Sequence, residues 1–159
     1  MKWLVAVLAF AGLLASIAAL REHYRTESSP CSINDKWDCG IVNHSPYAVI
    51  GGVWRYIREK QRGGIVDFSP YTAVERIPVA VIGIAGYLVL GALALAKAWK
   101  TALAATIGGL GFSLFLTYIE AHVLQVWCIY CVASLVMISC ITISILVATF
   151  VGRWKKPSS

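Results

Sequence analysis

The chain has 159 residues, of which 58% are hydrophobic and only 14% are charged, and its mean hydropathy is +0.72. Such an apolar composition leaves too little polar surface to cover an ordinary soluble domain. The formal net charge is +6, but no basic stripe with interleaved aromatic residues occurs, so nucleic acid is not an expected partner.

Four uncharged runs predict four membrane-spanning helices, at about residues 3–20, 77–96, 101–121 and 126–150. Each run reaches the roughly 18–20 residues that cross a bilayer core about 30 Å thick. The first run also has features of a signal peptide, with Lys2 before it and small residues near Ala18. Because this run is long for a signal peptide and supplies a fourth helix, we expect it to stay as an anchor. The predicted fold class is therefore all-α: one membrane domain over residues 1–159, built as a four-helix bundle.

The polar segment 21–76 forms a long loop between the first two predicted spans. An even number of spans places both termini on one side of the membrane, and the long loop then shares the other side with the turn between spans three and four. The loop carries eight basic and seven acidic residues, whereas the short segments on the opposite side carry six basic residues and no acidic ones. By the positive-inside rule, the termini are expected to be cytoplasmic and the loop external.

A short amphipathic helix is predicted inside the loop. Ser45 is a suitable N-cap and Pro46 a suitable first residue, and Gly63-Gly64 would end the helix. Its apolar face is expected on the membrane or on the top of the bundle, and it consists of Val49, Val53, Trp54 and Ile57. A turn at residues 67–70 would precede re-entry of the chain into the membrane at Ile77-Pro78.

Four of the five cysteines form two pairs that the topology places on one side. Cys128 and Cys131 lie three residues apart near the start of span four, where both thiols share a helix face and a disulfide is sterically possible. The start of a helix also favours thiolate, which suits a pair that alternates between dithiol and disulfide. Cys31 and Cys39 lie eight residues apart in the loop, so the two pairs suggest a relay by thiol–disulfide exchange. Cys140 lies roughly 18 Å deeper in the helix and is predicted to be a buried structural thiol.

Other interpretations of these residues remain open. The loop pair could be a purely structural disulfide, and the helix pair could be inert packing residues. A Cys-x-x-Cys could also be half of a zinc site completed by His44 or His122. Glu75 and Glu120 near the external interface are either proton carriers or interfacial charges, paired with Arg76 or lying near His122.

In order and spacing, these residues resemble the vitamin K epoxide reductase family. The matching features are Cys31-x7-Cys39, Ser45 six residues further on, and Cys128-Ile129-Tyr130-Cys131 at the opening of the last core helix. The spaced pair precedes the Cys-x-x-Cys, which is the reverse of the order in the bacterial quinone-linked disulfide-forming protein DsbB. The resemblance covers essentially the whole chain.

The resemblance implies a four-helix bundle around a quinone of the ubiquinone, menaquinone or vitamin K type. Cys131 would lie next to the quinone, Cys128 would exchange with Cys39, and Cys31 would exchange with a separate thioredoxin-like (DsbA-like) partner. Residues expected near the quinone are Ser45, Trp127 and Tyr130. The implied setting is a bacterial inner membrane, with membrane lipid around the bundle and the redox cysteines on the periplasmic side.

Three functions therefore come into consideration. The first is a quinone-dependent thiol–disulfide oxidoreductase that supports disulfide bond formation. The second is the same chemistry with vitamin K epoxide as the electron acceptor. The third is a non-catalytic four-helix protein that binds metal or assists assembly.

Overall fold

The computed structural model describes residues 2–26, 29–62, 72 and 75–154, without the side chains of residues 62 and 151–154. A single 3₁₀ turn lies in the loop and a π-helical turn follows the third long helix. The described residues form no extended strand, so the predicted all-α class is confirmed. The helices are α1 (Lys2–His23), α2 (Cys39–His44), α3 (Ile50–Arg62), α4 (Val79–Leu95), α5 (Trp99–Ile119) and α6 (Ile129–Trp154), and the two turns are Pro46–Ala48 (3₁₀) and Glu120–Leu124 (π).

Four apolar helices form the bundle, in which α1 and α5 each pack against α4 and α6. Three segments are long and apolar enough to cross a membrane: Lys2–His23, Trp99–Leu124 and Ile129–Phe150. The remaining helix, α4, has 17 residues and is therefore about 25 Å long at 1.5 Å per residue. This length is at the lower limit for a spanning helix. The predicted integral-membrane bundle is confirmed.

The bundle is apolar both inside and outside. Gly12 allows α1 to approach α4 closely, because a Cβ at this position would overlap the ring of Tyr87. Large apolar side chains also cover the outer surface, where Phe10, Leu88 and Phe150 are more than half exposed. A bundle in lipid needs no polar outer face, so this distribution fits a membrane environment. The core is contributed by all four helices: Val5, Ala9, Tyr87, Leu90, Ala94, Ala102, Ile138, Ile141 and Ile145.

Cys140 is exposed, so its prediction as a buried thiol is wrong. It lies on the outward stripe of α6 together with Val136, Ile143 and Val147, each at least half exposed. In a helix that is apolar all round, hydrophobicity does not distinguish the packed face from the lipid-facing one.

The predicted helix start at Ser45 is also wrong. Pro46 opens only a single 3₁₀ turn, and α3 begins at Ile50. The Ser45 hydroxyl donates a hydrogen bond backwards to the carbonyl of Val42, 2.7 Å away, and therefore does not cap the following turn. What precedes Ser45 is a further short helix, α2, which the sequence pattern did not reveal.

The amphipathic helix itself is present as α3. Val53 is buried as expected, whereas Trp54 is exposed, with the guanidinium of Arg58 5.7 Å from its ring centroid. The start of α3 is fixed to the start of α4, because the N–H of Ile50 donates to the carbonyl of Ile77 at 3.0 Å. The predicted end at Gly63-Gly64 and the turn at 67–70 lie outside the described residues.

Candidate active site

Cys31 and Cys39 form a disulfide in the loop, with their Cα atoms 5.7 Å apart. Both residues are buried, at 6% and 0% exposure. Cys39 is the first residue of α2, which is capped by Asp38: the Asp38 carboxylate accepts a hydrogen bond from the N–H of Ile41 at 3.0 Å. A second hydrogen bond, from the Ser32 hydroxyl, also holds this carboxylate. These hydrogen bonds, with the Ser32 bond as the largest effect, keep the pKa of Asp38 below its usual value.

Backbone hydrogen bonds join the loop to Trp127, the residue directly before Cys128. The N–H of Trp127 donates to the carbonyl of Lys36 at 2.8 Å, and the N–H of Asp38 donates to the carbonyl of Trp127 at 3.1 Å. The rings of Trp37 and Trp127 also pack together, with centroids 6.2 Å apart. This contact brings the residues next to Cys39 alongside the residue next to Cys128.

Cys128 lies immediately before α6 rather than inside it, since α6 begins at Ile129. Its carbonyl accepts the hydrogen bond of the Val132 N–H at 3.0 Å, so Cys128 occupies the N-cap position and Cys131 lies in the first turn. The two thiols are free and in hydrogen-bonding contact. This hydrogen bond from the Cys131 thiol is the main cause that lowers the pKa of Cys128, and burial opposes it.

The two cysteine pairs meet in one buried cluster at this end of the bundle. Cys31, Cys39 and Cys128 pack together with Val42, and Cys131 lies against them. Asn43, itself buried, connects the pairs: its side-chain amide donates to the carbonyl of Cys39 at 2.8 Å and lies 3.5 Å from the sulfur of Cys128. Cys39 and Cys128, the two residues that the family resemblance implies exchange with each other, therefore lie in one buried cluster and share Asn43 as a neighbour.

The two carboxyl groups that the sequence left unassigned occupy different environments. Glu75 is partly exposed, 3.5 Å from the guanidinium of Arg55, and it accepts hydrogen bonds from Thr72. Glu120 is 3% exposed and accepts a hydrogen bond from the N–H of Cys128 at 3.2 Å. Arg76, the ion-pair partner that the sequence left open, forms no ion pair with either carboxylate among the described residues.

A mainly apolar cavity of about 480 Å³ lies between the bundle helices and reaches Cys131. Its walls come from α1, α4, α5 and α6, and glycines such as Gly86 and Gly108 widen it. The hydroxyl of Tyr87 in the cavity wall donates to the carbonyl of Ser134 at 2.8 Å. The lining therefore combines the thiol of Cys131 with a few polar side chains. Those nearest in sequence to the cysteines are Asn43, Tyr130 and Ser134.

Of the three residues predicted near a quinone, only one lines this cavity. Tyr130 lines it together with Cys131, whereas Ser45 and Trp127 do not. Ser45 lies at the end of α2 and Trp127 lies in the contact with the loop. Asn43 and Tyr87 are polar wall residues that the sequence analysis did not single out. For Asn43 a signal existed, since it lies one helical turn after Cys39, but it required α2 to be recognised first.

The metal-binding alternative has no ligand set in the part of the chain that the structure describes. No group of three or more His, Cys, Asp or Glu side chains there could hold a metal ion. His44 is engaged elsewhere, with its two ring nitrogens 2.8 Å from the carbonyls of Gly40 and Arg25.

Comparison with known proteins agrees with this geometry. No curated protein sequence matches the chain. A family model described as the vitamin K epoxide reductase family matches residues 3–147, which include all four cysteines of the buried cluster and most of each bundle helix. The chain therefore belongs to the vitamin K epoxide reductase family and is a membrane oxidoreductase.

Proposed function

We propose that the protein is a quinone-dependent thiol–disulfide oxidoreductase. Electrons would pass from a separate thioredoxin-like protein to Cys31–Cys39, then to Cys128–Cys131 and finally to a membrane quinone. The observation that carries the proposal is the position of the two pairs: Cys39 and Cys128 share one buried cluster, while Cys131 lines an apolar cavity.

The residues around the cavity fit a quinone. An apolar space of about 480 Å³ suits a hydrophobic ring, and a few polar groups suit its two carbonyl oxygens. Asn43 and Tyr130 lie on the side of Cys131, and Ser134 lies one turn deeper on α6. A bound quinone would supply a two-electron acceptor, and this chain would supply the dithiol that it oxidises.

The exchange steps follow from thiolate chemistry. A thiolate of the partner attacks Cys31, forming a mixed disulfide and releasing the Cys39 thiolate. The second thiolate of the partner then attacks the partner sulfur of this mixed disulfide, which breaks its bond to Cys31. The partner leaves oxidised, and Cys31 is released as a thiolate. The Cys39 thiolate attacks Cys128 of the oxidised Cys128–Cys131 pair, and Cys31 resolves that bond, which restores Cys31–Cys39 and leaves Cys128 and Cys131 reduced.

Access to Cys31 requires movement of the loop. Cys31 is only 6% exposed, so a partner thiolate cannot approach its sulfur in the arrangement described above. The hydrogen bonds between Trp127 and residues 36–38 are the contacts that opening would break. Both pairs lie at one end of the bundle. Because the short segments at the other end carry basic and no acidic residues, we infer a periplasmic position for the pairs and cytoplasmic termini in a bacterial inner membrane.

The test is quinone reduction by the purified protein with a reduced thioredoxin-like substrate. We expect Cys131→Ala to abolish the activity and Cys140→Ala to leave it unchanged, because Cys140 faces outward from the bundle. The double variant Cys31→Ala/Cys131→Ala leaves Cys39 and Cys128 without their partners and should accumulate a disulfide between them. Quinone reduction at the wild-type rate by Cys131→Ala would contradict the proposal. A parallel assay with vitamin K epoxide shows whether an epoxide also serves as acceptor.

A further inference from the structure

The Glu120 carboxyl group is the buried acidic group that lies closest to the reactive thiols. It is 3% exposed, and within the described part of the chain it forms no ion pair. It accepts the N–H of Cys128 and is in hydrogen-bonding contact with the thiol of Cys131. An ionised carboxylate without a cation is costly to bury, so taking up a proton from a neighbouring donor relieves that cost.

The chain adopts an unusual local conformation to place this group. At Glu120 the helix α5 continues as a π-helical turn, Glu120–Leu124, and at Gln125 the backbone has a positive φ of 55°. The chain therefore reverses within a few residues, and the N–H of Cys128 reaches a carboxyl oxygen eight residues earlier. Single π-helical turns are rare and are found frequently at functional sites.

We propose that Glu120 is a catalytic base that accepts the proton of the Cys131 thiol when the Cys128–Cys131 pair is oxidised. This inference rests on the proposed function. In the overall step two S–H bonds break and one S–S bond forms, and two electrons and two protons convert the quinone to its hydroquinone. Glu120 holds one of these two protons between its departure from sulfur and its delivery, and it is a carboxylate again at the end.

The competing explanation is structural. In that case the carboxyl group only accepts the N–H of Cys128 and stabilises the turn before α6. A glutamine in its place can still accept this hydrogen bond through its carbonyl oxygen but cannot take up a proton. The substitution Glu120→Gln therefore separates the two roles, and Glu75→Gln is the matched control, since Glu75 lies at the surface beside Arg55 and Thr72.

The experiment has two readouts. The first is the pre-steady-state rate of quinone reduction by the reduced protein. The second is a pH titration of thiolate ultraviolet absorbance in the reduced protein without quinone, in a Cys140→Ala background. If Glu120 is the base, Glu120→Gln should slow quinone reduction about 100-fold or more. Its thiolate titration should move to lower pH, because a negative charge beside Cys128 has been removed. Glu75→Gln should change neither readout.

A purely structural role of Glu120 would not produce slower oxidation of the Cys128–Cys131 pair together with a larger thiolate fraction. A wild-type rate in Glu120→Gln would overturn the inference. So would a slow rate accompanied by a lower thermal stability of the variant, because the turn would then be the part affected. The failure of the proposed function is distinguishable: the wild-type protein would reduce no quinone, while the titration would still report whether Glu120 acts on the thiols.

Discussion

At the scale of single residues, Asn43 does most to connect the two cysteine pairs. Its side-chain amide contacts the carbonyl of Cys39 and the sulfur of Cys128, and its backbone carbonyl lies 2.6 Å from Nδ1 of His23 at the end of α1. A donor beside a sulfur stabilises negative charge on it. Asn43 is thus placed to hold Cys39 next to Cys128 and to stabilise the Cys128 thiolate, which is released when Cys31 resolves the Cys39–Cys128 disulfide.

Replacing Asn43 by alanine tests this position. We expect Asn43→Ala to lower the free energy of unfolding by about 0.5–1.5 kcal/mol for the lost hydrogen bond to Cys39. In the Cys31→Ala/Cys131→Ala background it should also reduce the yield of the Cys39–Cys128 disulfide, measured by non-reducing electrophoresis. Ile41→Ala is the control, since this residue of α2 is half exposed. An unchanged disulfide yield would show that Asn43 does not position the pair.

At the scale of secondary-structure elements, the long helices were predictable and the short ones were not. Uncharged runs located all four bundle helices to within a few residues, because lipid imposes a simple rule of length and polarity. The loop obeys no such rule. In α2, six residues are held by the Asp38 cap and by contacts with α1, so its stability comes mostly from tertiary structure.

Some residues of the candidate site were likewise predictable from the sequence, and others were not. The four cysteines were identified from spacing and order, since paired reactive cysteines occur at recognisable spacings in a sequence. Neither Asn43 nor Tyr87 was identified, because a single polar residue acquires its role only from what packs against it. Glu120 was noticed but not assigned, since its burial depends on a π-helical turn that has no recognised sequence signal.

We expect the cap of α2 to make the loop disulfide sensitive to acid. Because the pKa of Asp38 is lowered by its hydrogen bonds to Ser32 and Ile41, its stabilising effect is present above the ordinary aspartate pKa of 3.8 and is lost as the pH falls through the lowered value. Asp38→Ala should remove about 0.5–2 kcal/mol from α2, whereas Asp38→Asn should retain most of the cap.

The measurement is the rate at which a phosphine reductant, which acts in acid and at neutral pH, cleaves Cys31–Cys39. In the wild-type protein this rate should rise in acid, at the pH where Asp38 becomes protonated. In Asp38→Ala it should be raised at every pH, with little dependence on acid, and Asp38→Asn should resemble the wild type at neutral pH. Equal rates in the wild type and in Asp38→Ala would mean that the cap does not control the exposure of the disulfide.

At the scale of the whole molecule, the bundle is tightly packed at one place and open at another. Near Gly12 the helices α1 and α4 are in contact, whereas a Cβ at Gly86, Gly108 or Gly111 would meet no atom within 4 Å. All three glycines are exposed, so the space beside them opens to the outside of the bundle. Two of these three glycines line the cavity that reaches Cys131, so the open region belongs to the candidate site.

Glycines on α5 offer a matched pair that tests the cavity without touching a cysteine. Gly108 lines the cavity and Gly111, three residues further on, does not, yet both have room for a side chain. In both positions leucine should improve helix propensity by about 0.5–1 kcal/mol, so neither variant should unfold. Gly108→Leu should fill part of the space and raise the KM for quinone at least tenfold, a loss of ~1.4 kcal/mol in binding. With Gly111→Leu the KM should stay at the wild-type value, and equal effects of the two variants would show that the quinone binds elsewhere.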